Sequence, residues 1–141
     1  MSTPGRVVAH VDGGARGNPG PAGVGVVVTD EAGAELDRAN DYIGEATNNV
    51  AEYRAVLLAI ERARQLGARA LELVNDSELV ARQLSGEYRV KNEDLRRLHG
   101  QALKALGEFD RWSVRTVRRE QNELADELVN DAIDAHASTT R

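Results

Sequence analysis

Val7, Val8 and Val11, set around Ala9 and His10, form a β-branched run that ends on Asp12, and a stretch dense in glycine and proline, GGARGNPGPAG, follows it. Residues 23–29 (GVGVVVT) predict a second strand, residues 30–33 a turn, and residues 35–43 a third, more polar strand. Links this short predict an antiparallel meander. Over residues 47–66 the apolar period becomes helical, and Gly67 supplies a stop. Residues 71–75 (LELVN) predict a fourth strand leading into Asp76, with Ser77 placed to cap a short helix that reaches residue 84. A helix over 92–106, a fifth strand over 112–117 and a last helix over 122–135 complete the pattern, and residues 136–141 have the composition of a flexible tail or the start of a linker. The order βββαβααβα predicts an α/β fold: a mixed five-stranded sheet, three antiparallel strands and then parallel additions, with helices on both faces. Right-handed crossovers put the fourth strand parallel beside the first. The first strand is then central, and Asp12 and Asp76 share the C-terminal edge where such sheets build their sites.

Two further carboxylates break the apolar pattern. On the 47–66 helix, Ala55, Val56, Ala59, Ile60, Ala63 and Leu66 share one face, and Glu52 falls inside that arc. On the last helix Asp126 lies against the Ile133 edge of the stripe made by Leu124, Ala125, Leu128, Val129, Ala132 and Ile133. A buried carboxylate is costly unless a partner offsets its charge. Each acid also has a local explanation. Asn49 as N-cap with Glu52 closing a capping box would satisfy Glu52, and Asp126 would favour a helix N-terminus. Asp12 would serve as a turn residue, and Asp76 as a companion to the Ser77 cap. Taken together, however, the four converge at two strand ends and the first turns of two core-facing helices, where mutual repulsion requires a neutralising cation. Hard divalent cations with oxygen ligands fit, Mg2+ best, and the lack of a His/Cys ligand set argues against zinc.

Composition narrows the class. With 141 residues and 41% hydrophobic content the chain supports a single core. The absence of cysteine removes disulfides, thiolate metal sites and cysteine nucleophiles together, and it suits a reducing compartment. No apolar signal core opens the chain and no eighteen apolar residues run together, so a cytoplasmic monomer without a membrane partner is the expectation. A net charge of -5 weighs against a nucleic-acid partner, yet basic residues gather at 89–97 and 115–119. The glycine stretch is followed by no G-K-[ST] and no G-x-G-x-x-G opens a helix, which removes the common nucleotide-binding loops.

Four segments in this order, DGGARGNPGPAG, TNNVAEY, NDSELV and QNELADELV, resemble ribonuclease HI over about residues 6–135. The resemblance implies the ribonuclease H-like fold and a Mg2+-dependent endonuclease that hydrolyses the RNA strand of RNA/DNA hybrids with two ions, Mn2+ being the alternative metal. It assigns the metal-binding, catalytic quartet to Asp12, Glu52, Asp76 and Asp126. It assigns substrate binding to Asn18, Asn48 and Asn49 in the minor groove, with Gly14 and Ala15 beside them and Thr47 on a DNA-strand phosphate. The residue types agree, because two-metal hydrolysis needs a carboxylate between the ions, and Asp12 on the central strand is the choice for it. A neutral amide suits a 2′-hydroxyl, which both donates and accepts.

Two departures stand out. Where many members carry a lysine-rich handle, this chain has GEYRVKNED at 86–94, so weaker hybrid binding is expected. Where many carry a loop histidine before the last acid, it has VRREQN at 117–122, and Arg119 is expected to replace it, with Arg118 and Glu120 as alternatives. His10, His99 and His136 are expected to take no part in catalysis. The other readings are a DNA-directed nuclease of the same fold, such as an integrase or resolvase, and a silent hybrid-binding module. The asparagines and GNPG argue against the first, the complete quartet against the second. The tail could also lead into a further C-terminal domain of a longer parent chain.

Overall fold

A computed structural model describes residues 5–139. The elements are β1 (Arg6–Ala15), β2 (Gly20–Thr29), β3 (Glu35–Ala46), α1 (Asn48–Gln65), β4 (Ala70–Asn75), α2 (Glu78–Leu84), α3 (Glu93–Leu106), β5 (Arg111–Thr116), a 3-10 turn (Arg119–Gln121) and α4 (Glu123–Thr139). They build one five-stranded sheet in the order β3-β2-β1-β4-β5. The meander is antiparallel, and β4 and β5 run parallel to β1. The first strand is central, as the connection rules require.

The two faces of β1 serve different ends. Val7, Ala9 and Val11 alternate onto one face with Val24, Val26 and Val28 of β2, and α1 and α3 cover them with Tyr53, Val56, Ile60, Leu98 and Leu106. The opposite face presents His10 and Asp12 and lies under α4. A Cβ at Gly25, the residue paired with Asp12, would overlap the Ala125 carbonyl. Small residues on β2 thus let the last helix sit directly on the sheet beside Asp12.

Several bounds differ from expectation for identifiable reasons. β1 and β2 run on through the glycines, pairing Gly13 with Val24, Gly14 with Gly23 and Ala15 with Ala22, because a ladder uses backbone groups that glycine retains. Asp12 therefore sits within its strand and not at its end. It still emerges at an open margin, since the β1–β4 pairing stops at His10 and Val74. Thr47, not Asn49, caps α1: its hydroxyl accepts from Val50 N at 3.2 Å, so no capping box satisfies Glu52. The last helix continues to Thr139, and His136 stacks on Tyr42 of β3 with ring centroids 3.7 Å apart. Residues 136–139, expected as a flexible tail or the start of a linker, thus belong to the described helix, while residues 140–141 lie outside the described part. Among the described residues no helix is long and apolar enough to cross a membrane.

Candidate active site

The position of Glu52 follows from a glycine. A Cβ at Gly13 would overlap the carbonyl of Ala51, so the first turn of α1 rests on bare β1 backbone and delivers Glu52 beside Asp12. Asp76 follows the last residue of β4, immediately before the Ser77 cap, whose hydroxyl accepts from Val80 N at 3.2 Å. Asp126 stands in the first turn of α4, where its N–H donates to Asn122 O at 3.2 Å. Asn122 is itself buried and donates through Nδ2 to Val11 O at 2.8 Å, which ties the head of α4 to β1 one residue before Asp12.

These elements bring Asp12, Glu52, Asp76 and Asp126 into the wall of one cleft of about 320 Å³, with Arg119, Gly14, Ala15 and Asn48. The electrostatics there are unfavourable for carboxylates. Burial, then the Asp76 charge and a proton shared with Asp126, push Asp12 up to about 8. Burial raises Glu52 to about 7 against the opposing pull of the Ser77 hydroxyl and Arg119. Asp76 is also raised, chiefly by burial, with Arg119 and the Asn122 amide holding it back. One oxygen of Glu52, Oε2, is buried without any hydrogen-bond partner. Among the described residues no three carboxylate or imidazole groups are already gathered as ligands of one ion. A wholly oxygen donor set, partly buried and repelling itself, fits a hard divalent cation.

The positions expected to bind substrate are partly interlocked. Asn48 Oδ1 accepts from Ala15 N at 2.9 Å, and Asn18 Oδ1 accepts from Asn48 N at 3.0 Å. Each amide oxygen thus has one hydrogen bond within the protein, and the N–H2 group of each residue can donate to a ligand. Asn18, Asn49 and Thr47 do not line the cleft, and Thr47 serves as a helix cap. Sequence reasoning missed Arg16 and Asn130, which do line it. Arg16 reaches across to Asp134 at 2.7 Å and Asn130 at 3.2 Å, clamping the β1–β2 turn to α4. The signal available was a lone arginine inside the glycine stretch, where turn formation alone does not call for a charge. Asn122 was also passed over, although it stands in QNELADELV as a polar residue at a helix start.

None of the histidines lines the cleft. His10 faces α4 and not the main core, half-buried in a separate cavity with Gln121, Asn122 and Leu124, and burial lowers its pKa. His99 packs between helices, its Nε2 2.9 Å from Gln83 O and its ring edge-on to Tyr53.

The sequence and the fold resemble those of other proteins. The family described as Reverse transcriptase-like matches residues 10–132. The chain is 47% identical over 130 residues to the Ribonuclease HI of Halobacterium salinarum, covering 92% of this chain and 65% of that protein. It is 45% identical over 135 residues to the Bifunctional protein Rv2228c of Mycobacterium tuberculosis, covering 95% of this chain and 37% of that one. It thus spans less than two thirds of either relative. Among solved structures, LC11-RNase H1 in complex with an RNA/DNA hybrid superposes with a TM-score of 0.90 at 43% identity, over 93% of this chain and 99% of that one. With the strand order, the cleft and these similarities in agreement, the chain belongs to the ribonuclease H family.

Proposed function

We propose that this domain is an endonuclease that hydrolyses the RNA strand of RNA/DNA hybrids with divalent cations, Mg2+ foremost, at the acidic cleft. The observation that carries the reading is the convergence of four carboxylates in one cleft, with Asp12 held near 8 by burial and like charge. Such a grouping weakens the fold and is useful only when a cation enters it. The hybrid bound by LC11-RNase H1, a neighbour of the same fold, supports the choice of substrate.

Asp12, Glu52, Asp76 and Asp126 would hold the cations, which when bound supply an activated water and Lewis-acid stabilisation of the phosphate. We assign two ions, with Asp12 as the shared ligand, because it is the acid on which the charges of the other three converge. The Ser77 hydroxyl restrains Glu52, and Arg119 faces Glu52 and Asp76 as a permanent positive charge. A guanidinium can grip a phosphate oxygen but cannot exchange protons near neutrality. The N–H2 groups of Asn48 and Asn18 can donate to a 2′-hydroxyl oxygen, a group that the DNA strand lacks.

The deciding experiment presents an RNA/DNA hybrid, duplex DNA and duplex RNA to the protein with Mg2+ and with chelator. Cleavage of the hybrid's RNA strand, lost in chelator, is expected. Asp76→Asn is expected to abolish cleavage while hybrid binding is largely kept. Turnover in chelator, or preferential cutting of duplex DNA, would overturn the reading.

A second expectation concerns the loop before α4. Arg119→Ala should lose about a hundredfold in kcat, the scale of one missing electrostatic donor. His10→Ala, His99→Ala and His136→Ala, where folded, should keep near wild-type kcat. A hundredfold loss in a folded histidine variant would show that an imidazole takes part after all.

A further inference from the structure

Adjoining the cleft, and sharing Asp12, Gly13, Glu52 and Asp76 with it, is a much smaller cavity lined also by Val11, Asn75 and Ser77. Two of the side chains that face it carry buried oxygens with no hydrogen-bond partner, Oε2 of Glu52 and Oδ1 of Asn75. Asn75 is 4% exposed, so bulk solvent does not serve it. Once Glu52 is ionised, as a cation ligand must be, its oxygen and the Asn75 amide oxygen are both acceptors, and neither can satisfy the other. Buried polar atoms left in that condition are rare, because the lost hydration is not replaced. A single small molecule with two O–H donors resolves both at once. The space is of the right order, about 10 Å³, against the roughly 10–15 Å³ that one water needs by the same measure.

The choice of residue points the same way. Asparagine is a poor strand former, and the last position of β4 is buried, where an aliphatic side chain would pack as well. The backbone there is already fixed, since Val117 N donates to Asn75 O at 2.8 Å. An amide at this place is explained by what its oxygen does toward Glu52.

We propose that one water molecule is bound in this cavity, donating one hydrogen to Glu52 Oε2 and the other to Asn75 Oδ1, and that through it Asn75 is a positioning residue for Glu52. The Ser77 hydroxyl acts on the same carboxylate, so the two restraints set the plane in which Glu52 faces the cleft. The consequence for catalysis rests on the cation-binding role proposed above. Groups that orient a ligand in this way commonly change metal affinity by about 10- to 100-fold when removed.

The test uses the whole chain. A crystal structure at high resolution should show a water within hydrogen-bonding distance of both oxygens, with or without Mg2+. Asn75→Leu, of the same branched shape but larger and without an acceptor, should lose that water and still give a cooperative thermal unfolding transition in chelator. Its affinity for Mg2+, measured by calorimetry without substrate, should weaken about tenfold or more. The Mg2+ concentration giving half-maximal hybrid cleavage should rise in step, with kcat at saturating Mg2+ changed less. Asn75→Thr, which keeps an oxygen on that wall, should retain most of the affinity, and it takes over the test if the leucine variant does not fold. Density without a water between the two oxygens, or a leucine variant that binds Mg2+ as wild type does, overturns the proposal. Failure of the nuclease reading looks different. Wild type would then bind no Mg2+, and the crystals alone would decide the proposal: a water between the two oxygens supports it and its absence overturns it.

Discussion

Asp12→Asn is expected to leave the metal-free protein more stable and almost inactive. Folding raises the Asp12 carboxyl from 3.8 to about 8 and Glu52 from 4.5 to about 7, in both cases chiefly by burial. A carboxyl so raised holds its proton more tightly in the folded chain than in the unfolded one. Stability without metal therefore falls as pH climbs from about 4 toward about 8, and above that the full penalty of the buried charge is present. The amide removes one charge from the group and with it part of this slope. At pH 8 in chelator the variant should melt at least ~3 °C higher, equivalent to about 1 kcal/mol for a domain of this size. Mg2+ should raise the melting temperature of wild type more at pH 8 than at pH 5, where protons compete for the ligands. Cleavage should drop about a thousandfold, corresponding to about 4 kcal/mol of lost transition-state stabilisation. Thermal unfolding at the two pH values, with chelator and with Mg2+, and single-turnover cleavage measure all of this. An amide variant that melts lower than wild type at pH 8 without metal would show that the carboxylates do not repel one another as described.

Gly13→Ala should damage both the fold and the site. The added Cβ would overlap the Ala51 carbonyl, which is backbone and cannot rotate away, so the first turn of α1 must back off β1. Forcing a methyl into such a contact costs about 1–3 kcal/mol. The turn that moves carries Asn48 and Glu52, and a displacement of about 1 Å at a reacting centre can cost about a hundredfold in rate. Gly14→Ala is the control for stability, because its Cβ would meet nothing nearer than Asn48 Oδ1 at 3.9 Å. Urea unfolding of both variants and cleavage by Gly13→Ala give the answer. Wild-type stability in Gly13→Ala would mean that α1 does not dock so closely.

What could be read from the sequence divides along a physical line. The strand order followed from short links and handedness. Glu52 and Asp126 were visible because a charge inside an apolar arc has few explanations, and all four acids do meet in the cleft. Features that depend on backbone alone were harder to see. Gly13, Gly14 and Gly20 read as turn yet lie in ladder positions, since hydrogen-bonded pairing leaves no mark on side-chain type. Thr47 and Asn49 are both good caps, and only the phase of α1 against Gly13 selects Thr47. The end of α4 depends on a Tyr42–His136 stack between residues far apart in the chain. The burial of Asn75 and Asn122 was not legible either, because a composition of polar residues does not say which few turn inward.

The central strand is held unevenly along its length. From Val8 to His10 it is flanked by β2 and β4, but beyond His10 the β4 partner is gone, and the next carbonyl on the strand, that of Val11, is taken up by the Asn122 side chain. In hydrogen-exchange terms β1 is a stiff stem with a yielding tip. Opening the stem requires disrupting two ladders and the main core, whereas the tip is held by the β2 ladder and by side-chain clasps to α4, Asn122 on the Val11 carbonyl and Arg16 on Asp134 and Asn130. The tip carries Asp12, Gly14 and Ala15, so local opening there would loosen the cleft without unfolding the sheet. Adjustment to a bulky double-stranded ligand is thereby concentrated where the ligand would sit, and the cost to the rest of the domain stays small.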